Sequence, residues 1–316
     1  MPLDDPTQAA IEVGQRHAKE ILEFRARALA DRARALDAHL APVRLRIESI
    51  TREGTPTAEA TIAQTAGVLV AEGDSWFDYP LHDVLEELED RHGYDVESVA
   101  HKGDPVEEMA YGTNQLEEFT RRIEKLLRRG VTPKAVLLSG GGNDVAGNEF
   151  GMLLNHARST IAGLNVSVVE GVINQRVRTA YIVILSAVTQ VCQQKVGRTL
   201  PILVHGYDYP VPDGRGFLGG GWFLPGPWLE PGFREKGYED LSRRIRLAHE
   251  LIDRFNVMLE EVSGLQPFAH VHYLNLRNTL STGADYKEWW ANELHPTEEG
   301  FRRIAARFAA VLQNLP

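Results

Sequence analysis

From residue 66 onward, short apolar runs alternate with longer amphipathic stretches, the order expected when strands and helices follow one another. Residues 67–72, 95–100, 135–139, 202–206 and 271–276 read as strands. Residues 83–91, 105–128, 168–193, 238–261 and 298–313 have the spacing and length of helices. Five strands with helices between them predict a three-layer α/β/α domain over residues 66–316, doubly wound around a parallel five-stranded sheet. Ligands of such folds bind beyond the carboxyl ends of the strands.

The first 65 residues read differently, as an N-terminal helical extension and a linker. Residues 8–41 are rich in Ala, Glu, Arg and Leu without an internal proline, and Pro42 is the expected stop. Leu22, Leu29 and Leu36 recur every seven residues, with Ala26, Ala33 and Leu40 between them. That stripe either zips to a second copy, making a homo-oligomer, or packs on the chain's own domain. Residues 51–65 (TREGTPTAEATIAQT) have the breakers and small polar residues of a linker.

Composition narrows the classes. With 44 acidic against 34 basic residues, the formal charge of −10 repels phosphate backbones, so no nucleic acid partner is expected. The single cysteine, Cys192, allows neither an intramolecular disulfide nor a Cys-based zinc site, and its apolar surroundings mark it as a packed thiol. No long apolar run suggests a signal or membrane span, which makes a cytoplasmic protein the expectation.

The polar, glycine-rich sequences fall at the predicted strand ends. Gly73-Asp74-Ser75 follows the first strand, His101-Lys102-Gly103 the second and Gly140-Gly141-Gly142-Asn143-Asp144 the third. Taken singly, Ser75 is a helix cap, a turn residue or a nucleophile. Acyl transfer needs a base for the serine and donors for the developing oxyanion. His295, between the last strand and the last helix, is the best base, and otherwise a histidine at a helix start. Asn143 and Gly103 are either oxyanion donors or turn residues.

The ordered set of Gly-Asp-Ser, a lone glycine, Gly141-Gly142-Asn143-Asp144 and a C-terminal His-Pro resembles the four blocks of the SGNH (GDSL-type) hydrolases, whose fold is flavodoxin-like. The resemblance covers the chain from about Gly67 to the end. It implies Ser75 as nucleophile and, through its N–H, oxyanion donor, with Gly103 N–H and the Asn143 side chain as further donors and His295 as general base. One block departs: the family places an aspartate three residues before the histidine, and here Asn292 stands there. Three readings follow: a dyad supported by Asn292 or a backbone carbonyl, a carboxylate supplied by Asp285 or Glu293, or an impaired enzyme.

Trp76 replaces the commoner leucine after the serine and either walls a substrate pocket or fills core. The segment 208–235 is too rich in Gly and Pro for a helix and too long for an ordinary connection. Its aromatics Phe217, Trp222, Phe223 and Trp228 are expected to form an apolar substrate wall. His270 and His272 alternate along one strand but lack a third ligand, so neither a metal nor another cofactor is expected. Neither a Gly-x-Ser-x-Gly elbow nor a Gly-x-x-x-x-Gly-Lys phosphate loop occurs. The expected function is a serine esterase acting on a short or medium acyl ester, its rate falling as His295 protonates between about pH 8 and 5. The alternative is a lipid- or carbohydrate-binding module with a decayed catalytic set.

Overall fold

The structure, a computed structural model, describes residues 3–47, 65–112, 114–147, 149–219 and 225–315, without the side chains of 35–47 and 219. β1 (Gly67–Glu72), β2 (Tyr94–Ser98), β3 (Ala135–Leu138), β4 (Ile202–His205) and β5 (Val271–Leu274) form one parallel sheet in the order β2-β1-β3-β4-β5. That order is doubly wound of the flavodoxin-like kind, with a switch point between β1 and β3. The central strands are apolar without alternation (AVLL in β3, ILVH in β4) because both of their faces are covered.

The main helices are α1 (Asp5–Ile47), α2 (Val84–His92), α3 (Val106–Tyr111), α4 (Gln115–Arg128), α5 (Arg178–Val196), α6 (Leu241–Ser263) and α7 (Glu298–Leu312), beside several short helical turns. α2 packs on α7 on one side of the sheet, and α4, α5 and α6 pack in a row on the other. The pattern over 105–128 is two helices, because Gly112 takes an extended backbone (φ −64°, ψ 139°) and breaks the run. The long pattern from 168 contains a π-helical stretch, Gly171–Val177, before α5 begins. Pro42 does not stop α1, which continues to Ile47; an internal proline removes one backbone hydrogen bond without forbidding the next turn.

α1 lies across α5 and touches α4. Ala10, Ile11 and Ala18 are buried in that contact, so the first half of the helix packs on its own domain. This explains why α5 is apolar nearly all round: one side faces the sheet and the other faces α1. The crossing is close at Gly14, where a Cβ would stand 2.3 Å from Val183 O and 2.7 Å from Ser186 Cβ. Arg25 closes the contact, with Nη2 2.8 Å from Glu124 Oε2 on α4, while Lys195 Nζ of α5 stands 2.9 Å from the same carboxylate. Burial pushes the Glu124 carboxyl up, and the two cations more than offset that, holding it below the usual glutamate value. Of the heptad leucines, Leu22 is half-buried against the core and the side chain of Leu36 lies outside the described residues, as does the linker 51–64.

Gly14→Ala tests the crossing, because propensity and packing predict opposite signs. Helix propensity alone favours alanine by about 1 kcal/mol. An atom 2.3 Å from a backbone carbonyl forces the helices apart, at a cost of about 1–3 kcal/mol. Thermal melting followed by circular dichroism is expected to show a lower Tm for Gly14→Ala. Gly171→Ala, where a Cβ meets nothing within 4 Å, is expected to raise it or leave it unchanged.

Candidate active site

The carboxyl ends of all five strands converge on one edge, and Ser75 sits in the turn that closes β1. Phe77 and Asp78 both donate their N–H to Asp74 O, which holds that turn (3.0 and 3.1 Å). Beneath it Asp74 is fully enclosed, accepting from Ser139 Oγ at 2.7 Å, from Trp76 N at 3.1 Å and from the Tyr207 hydroxyl. Burial raises its pKa, and those donors oppose the rise. Tyr207 OH in turn accepts the N–H of Gly142 at 3.1 Å. One buried carboxylate thus fixes the ends of β1, β3 and β4 relative to one another.

Ser75 Oγ lies 2.7 Å from His295 Nε2, across 220 residues of sequence. The other ring nitrogen, Nδ1, is 3.1 Å from Asn292 Oδ1. An amide can turn either end to an imidazole, so its orientation decides the tautomer. Here Oδ1 also accepts the backbone N–H groups of Leu294 and His295, both at 2.9 Å, while Nδ2 donates to Tyr79 OH at 2.9 Å. Two fixed donors therefore demand an oxygen at that place. The proton of His295 is held on Nδ1, and Nε2 presents its lone pair to the serine hydroxyl.

His295 is 5% exposed, and burial without a carboxylate pushes its pKa down to about 3. Burial of this depth favours the neutral imidazole through the mildly acid range, whereas the expected loss of the base between about pH 8 and 5 takes the ring at its ordinary pKa. Tyr79 stacks on the ring at 4.1 Å between centroids, and Trp228 meets it edge-on at 5.5 Å. These aromatic faces supply much of the burial that keeps the ring uncharged.

Neither carboxylate offered as a substitute for the missing aspartate reaches the histidine. Asp285 is on the surface, where it accepts from Ser281 Oγ and from Trp289 Nε1 at 3.1 Å. Glu293 is completely buried and turned the other way. Its Oε1 accepts the N–H of Gly214 and Glu230, and its Oε2 accepts those of Trp228 and Leu229, at 2.7–3.0 Å. Its work is to tie both ends of the glycine-rich loop to the segment that carries His295.

Ser75, Gly103 and Asn143 border one groove with His295. Gly103 has φ +91°, a left-handed conformation, yet a Cβ there would meet nothing within 4 Å, so the need for glycine is the backbone's own. No acceptor among the described residues engages the N–H of Ser75 or of Gly103. Asn143 Nδ2 donates to Asp104 O at 3.1 Å, leaving its second hydrogen. Phe217 and Trp228 line the same groove, whereas Trp222 and Phe223 lie outside the described residues. Trp76 both fills core and borders a cavity: it is 3% exposed, stacks on His205 and donates from Nε1 to Leu294 O at 3.1 Å. His270 sits ahead of β5, at the far end of the sheet from Ser75, with Nε2 2.8 Å from Thr189 Oγ1. Cys192 is buried, its thiol pushed up to about 12.

Two cavities meet at Ser75. One, of about 60 Å³, runs inward between the segment after β3 and α6. The other, of about 400 Å³, opens outward between Tyr79, Gly103, Phe217 and Trp228. Among the described residues no helix is long and apolar enough to cross a membrane.

No protein-family model and no curated protein matches the chain. Among solved structures it is similar to an extracellular lipase from Streptomyces rimosus (14% identity, 79% of this chain and 100% of that one, TM-score 0.46). It is similar also to a carbohydrate esterase family 3 protein from Talaromyces cellulolyticus (14% identity, 79% and 97%, TM-score 0.41). An acetylxylan esterase from Geobacillus stearothermophilus, solved as a catalytic mutant, gives 12% identity over 78% and 94% with a TM-score of 0.39. Likeness at that level concerns the general course of the chain, and the chemistry is read from the side chains above.

Two measurements check the site. Long-range ¹H–¹⁵N correlation spectra are expected to show His295 neutral, protonated on Nδ1, from about pH 8 to 5, and Asn292→Asp is expected to bring a titration into that window. An imidazole that titrates near its ordinary value in the wild type would contradict the burial argument. Glu293→Gln turns an NH₂ toward two of four amide donors, a loss of about 2 kcal/mol or more. Limited proteolysis is expected to cleave segment 208–235 at least several-fold faster in that variant.

Proposed function

We propose that the chain is a serine hydrolase of carboxylic esters, of the SGNH type, working through an acyl-Ser75 intermediate. The observation that carries this reading is the relay from Ser75 Oγ to His295 Nε2 at 2.7 Å, with Nδ1 held by a correctly turned Asn292. Ser75 Oγ attacks the ester carbonyl and its proton passes to Nε2. The oxyanion faces the N–H groups of Ser75 and Gly103 and the free hydrogen of Asn143 Nδ2. Collapse of the tetrahedral intermediate expels the alcohol, which takes the proton back from Nε2. Water then repeats the attack with His295 as base, releasing the acid and restoring the serine.

Asn292 stands for both the strength and the limit of this machinery. In a Ser-His-Asp triad, replacing the aspartate by asparagine costs about 10⁴ in turnover, chiefly through the wrong tautomer. Here the backbone N–H groups of Leu294 and His295 remove that part of the loss. What is not recovered is charge, since a neutral oxygen gives the imidazolium no counterion. The competing reading, a binding module on a decayed site, draws its support from Asn292 alone. The pinned amide and the unoccupied oxyanion donors favour the enzyme.

A fluorophosphonate probe tests the reading directly. Wild-type protein is expected to label at Ser75, Ser75→Ala is expected not to, and an unlabelled wild type with no esterase turnover would favour the binding module. A second test is pH. A group whose pKa is depressed keeps its neutral form down to the lowered value, so kcat/KM on a neutral ester is expected to stay level from about pH 8 to 5. Asn292→Asp restores a counterion, and its acid limb is expected to move up into that range while the rate at pH 8 rises by about tenfold or more. A bell falling below pH 7 in the wild type would overturn the buried-base mechanism.

A further inference from the structure

We propose that the two cavities at Ser75 divide the ester between them: the small inner one takes a short acyl group, and the larger outer one takes a ring-bearing alcohol. This deepens the esterase reading and rests on it. The assignment of halves follows from the order of events. The alcohol departs while the acyl group is still bonded to Ser75, so it needs an open path to solvent. The acyl group waits for water and needs only to be held.

The inner cavity is lined by Phe150, Leu229, Ile252, Phe255 and Trp290, with Ala248 of α6 among them. Asp208 also borders it, yet its oxygens are turned to the N–H groups of Tyr209, Asn278 and Leu280 at 2.6–2.8 Å. Apart from the indole N–H of Trp290, which has no partner among the described residues, the lining offers little to a polar tail, so the occupant is chiefly hydrocarbon. Its volume of about 60 Å³ compares with about 150 Å³ for a cavity that admits the six carbons of benzene. In proportion, roughly two or three carbons fit beyond the carbonyl, an acyl group of about three or four carbons.

The outer groove, at about 400 Å³, is several times larger. Tyr79 and Phe217 meet edge-to-face at 5.7 Å between centroids, and Trp228 stands across from them beside His295. Three aromatic side chains lining one groove suit a cyclic group packed against them. A linear alcohol would leave most of that surface wet.

Rates over p-nitrophenyl acetate, butyrate, hexanoate and octanoate test the acyl half in the wild-type protein. kcat/KM is expected to peak at acetate or butyrate and to fall by about tenfold or more at octanoate, since each carbon that does not fit is worth about 10-fold or more. Ile252→Ala is expected to raise the hexanoate-to-acetate ratio about tenfold, and Ala248→Leu to lower the butyrate-to-acetate ratio by a similar factor. For the alcohol half, cyclohexyl and ethyl acetate have leaving groups of similar basicity. Phe217→Ala is expected to raise KM for the cyclohexyl ester about tenfold relative to the ethyl ester. Rates that climb through octanoate, or a KM ratio unmoved by Phe217→Ala, overturn the inference while labelling of Ser75 leaves the esterase reading standing. Neither labelling nor turnover of any ester overturns both.

Discussion

The amide oxygen of Asn292 is the point on which the site depends. It receives three hydrogen bonds, two from backbone N–H groups that cannot turn away and one from His295 Nδ1. An aspartate in that place would attract the imidazole by charge, and either of its oxygens would serve. An asparagine works only if it faces one way, and the local backbone makes that choice for it. Tyr79 completes the arrangement by accepting from Nδ2 while its ring covers the imidazole. Orientation has taken over a task that charge performs elsewhere.

The same economy of charge runs through the surrounding structure. Asp74, Asp208 and Glu293 are buried carboxylates close to the site, and each spends its oxygens on protein donors. Asp74 ties strand ends together through Ser139 and Tyr207. Asp208 joins the segment after β4 to the segment after β5. Glu293 anchors the loop that carries Trp228. Buried carboxylates left without such donors would be strongly destabilising, so these hydrogen bonds hold the segments they join in place. None of the three faces the reacting atoms, and the proposed chemistry runs on backbone dipoles, an amide and an uncharged base.

Much of this was legible in the chain because strands, glycines and turn residues are local features. The five apolar runs gave the sheet to within one or two residues at each end, and the polar segments after them marked the edge where Ser75, Gly103, Asn143 and His295 assemble. What local pattern does not contain is direction. Glu293 and Asn292 are neighbours, yet they point to opposite sides of an irregular segment, one to the loop and one to the histidine. Asp285 is ten residues from His295 and faces solvent. Tyr79 and Tyr207 gave no signal at all, because their significance lies in partners more than a hundred residues away, Asn292 and Asp74. Pro42 marks no boundary for a different reason: it removes one hydrogen bond from a long helix that the turns on either side of it continue.

A neutral, buried base sets terms for whatever the site accepts. In the proposed mechanism His295 gains a proton during attack, in surroundings whose burial brings its pKa down to about 3. That cost falls only if the opposite charge forms beside it at the same moment, as the oxyanion does between the donors of Ser75, Gly103 and Asn143. The ion pair of the transition state is then its own counterion, enclosed by Tyr79 and Trp228 at low effective dielectric, where attraction between the two charges is strongest. A substrate bearing a fixed charge near the carbonyl would disturb that balance from the start. The largely apolar inner cavity and the aromatic groove therefore belong to the same design as Asn292, one in which the reacting groups carry charge only while the reaction is under way.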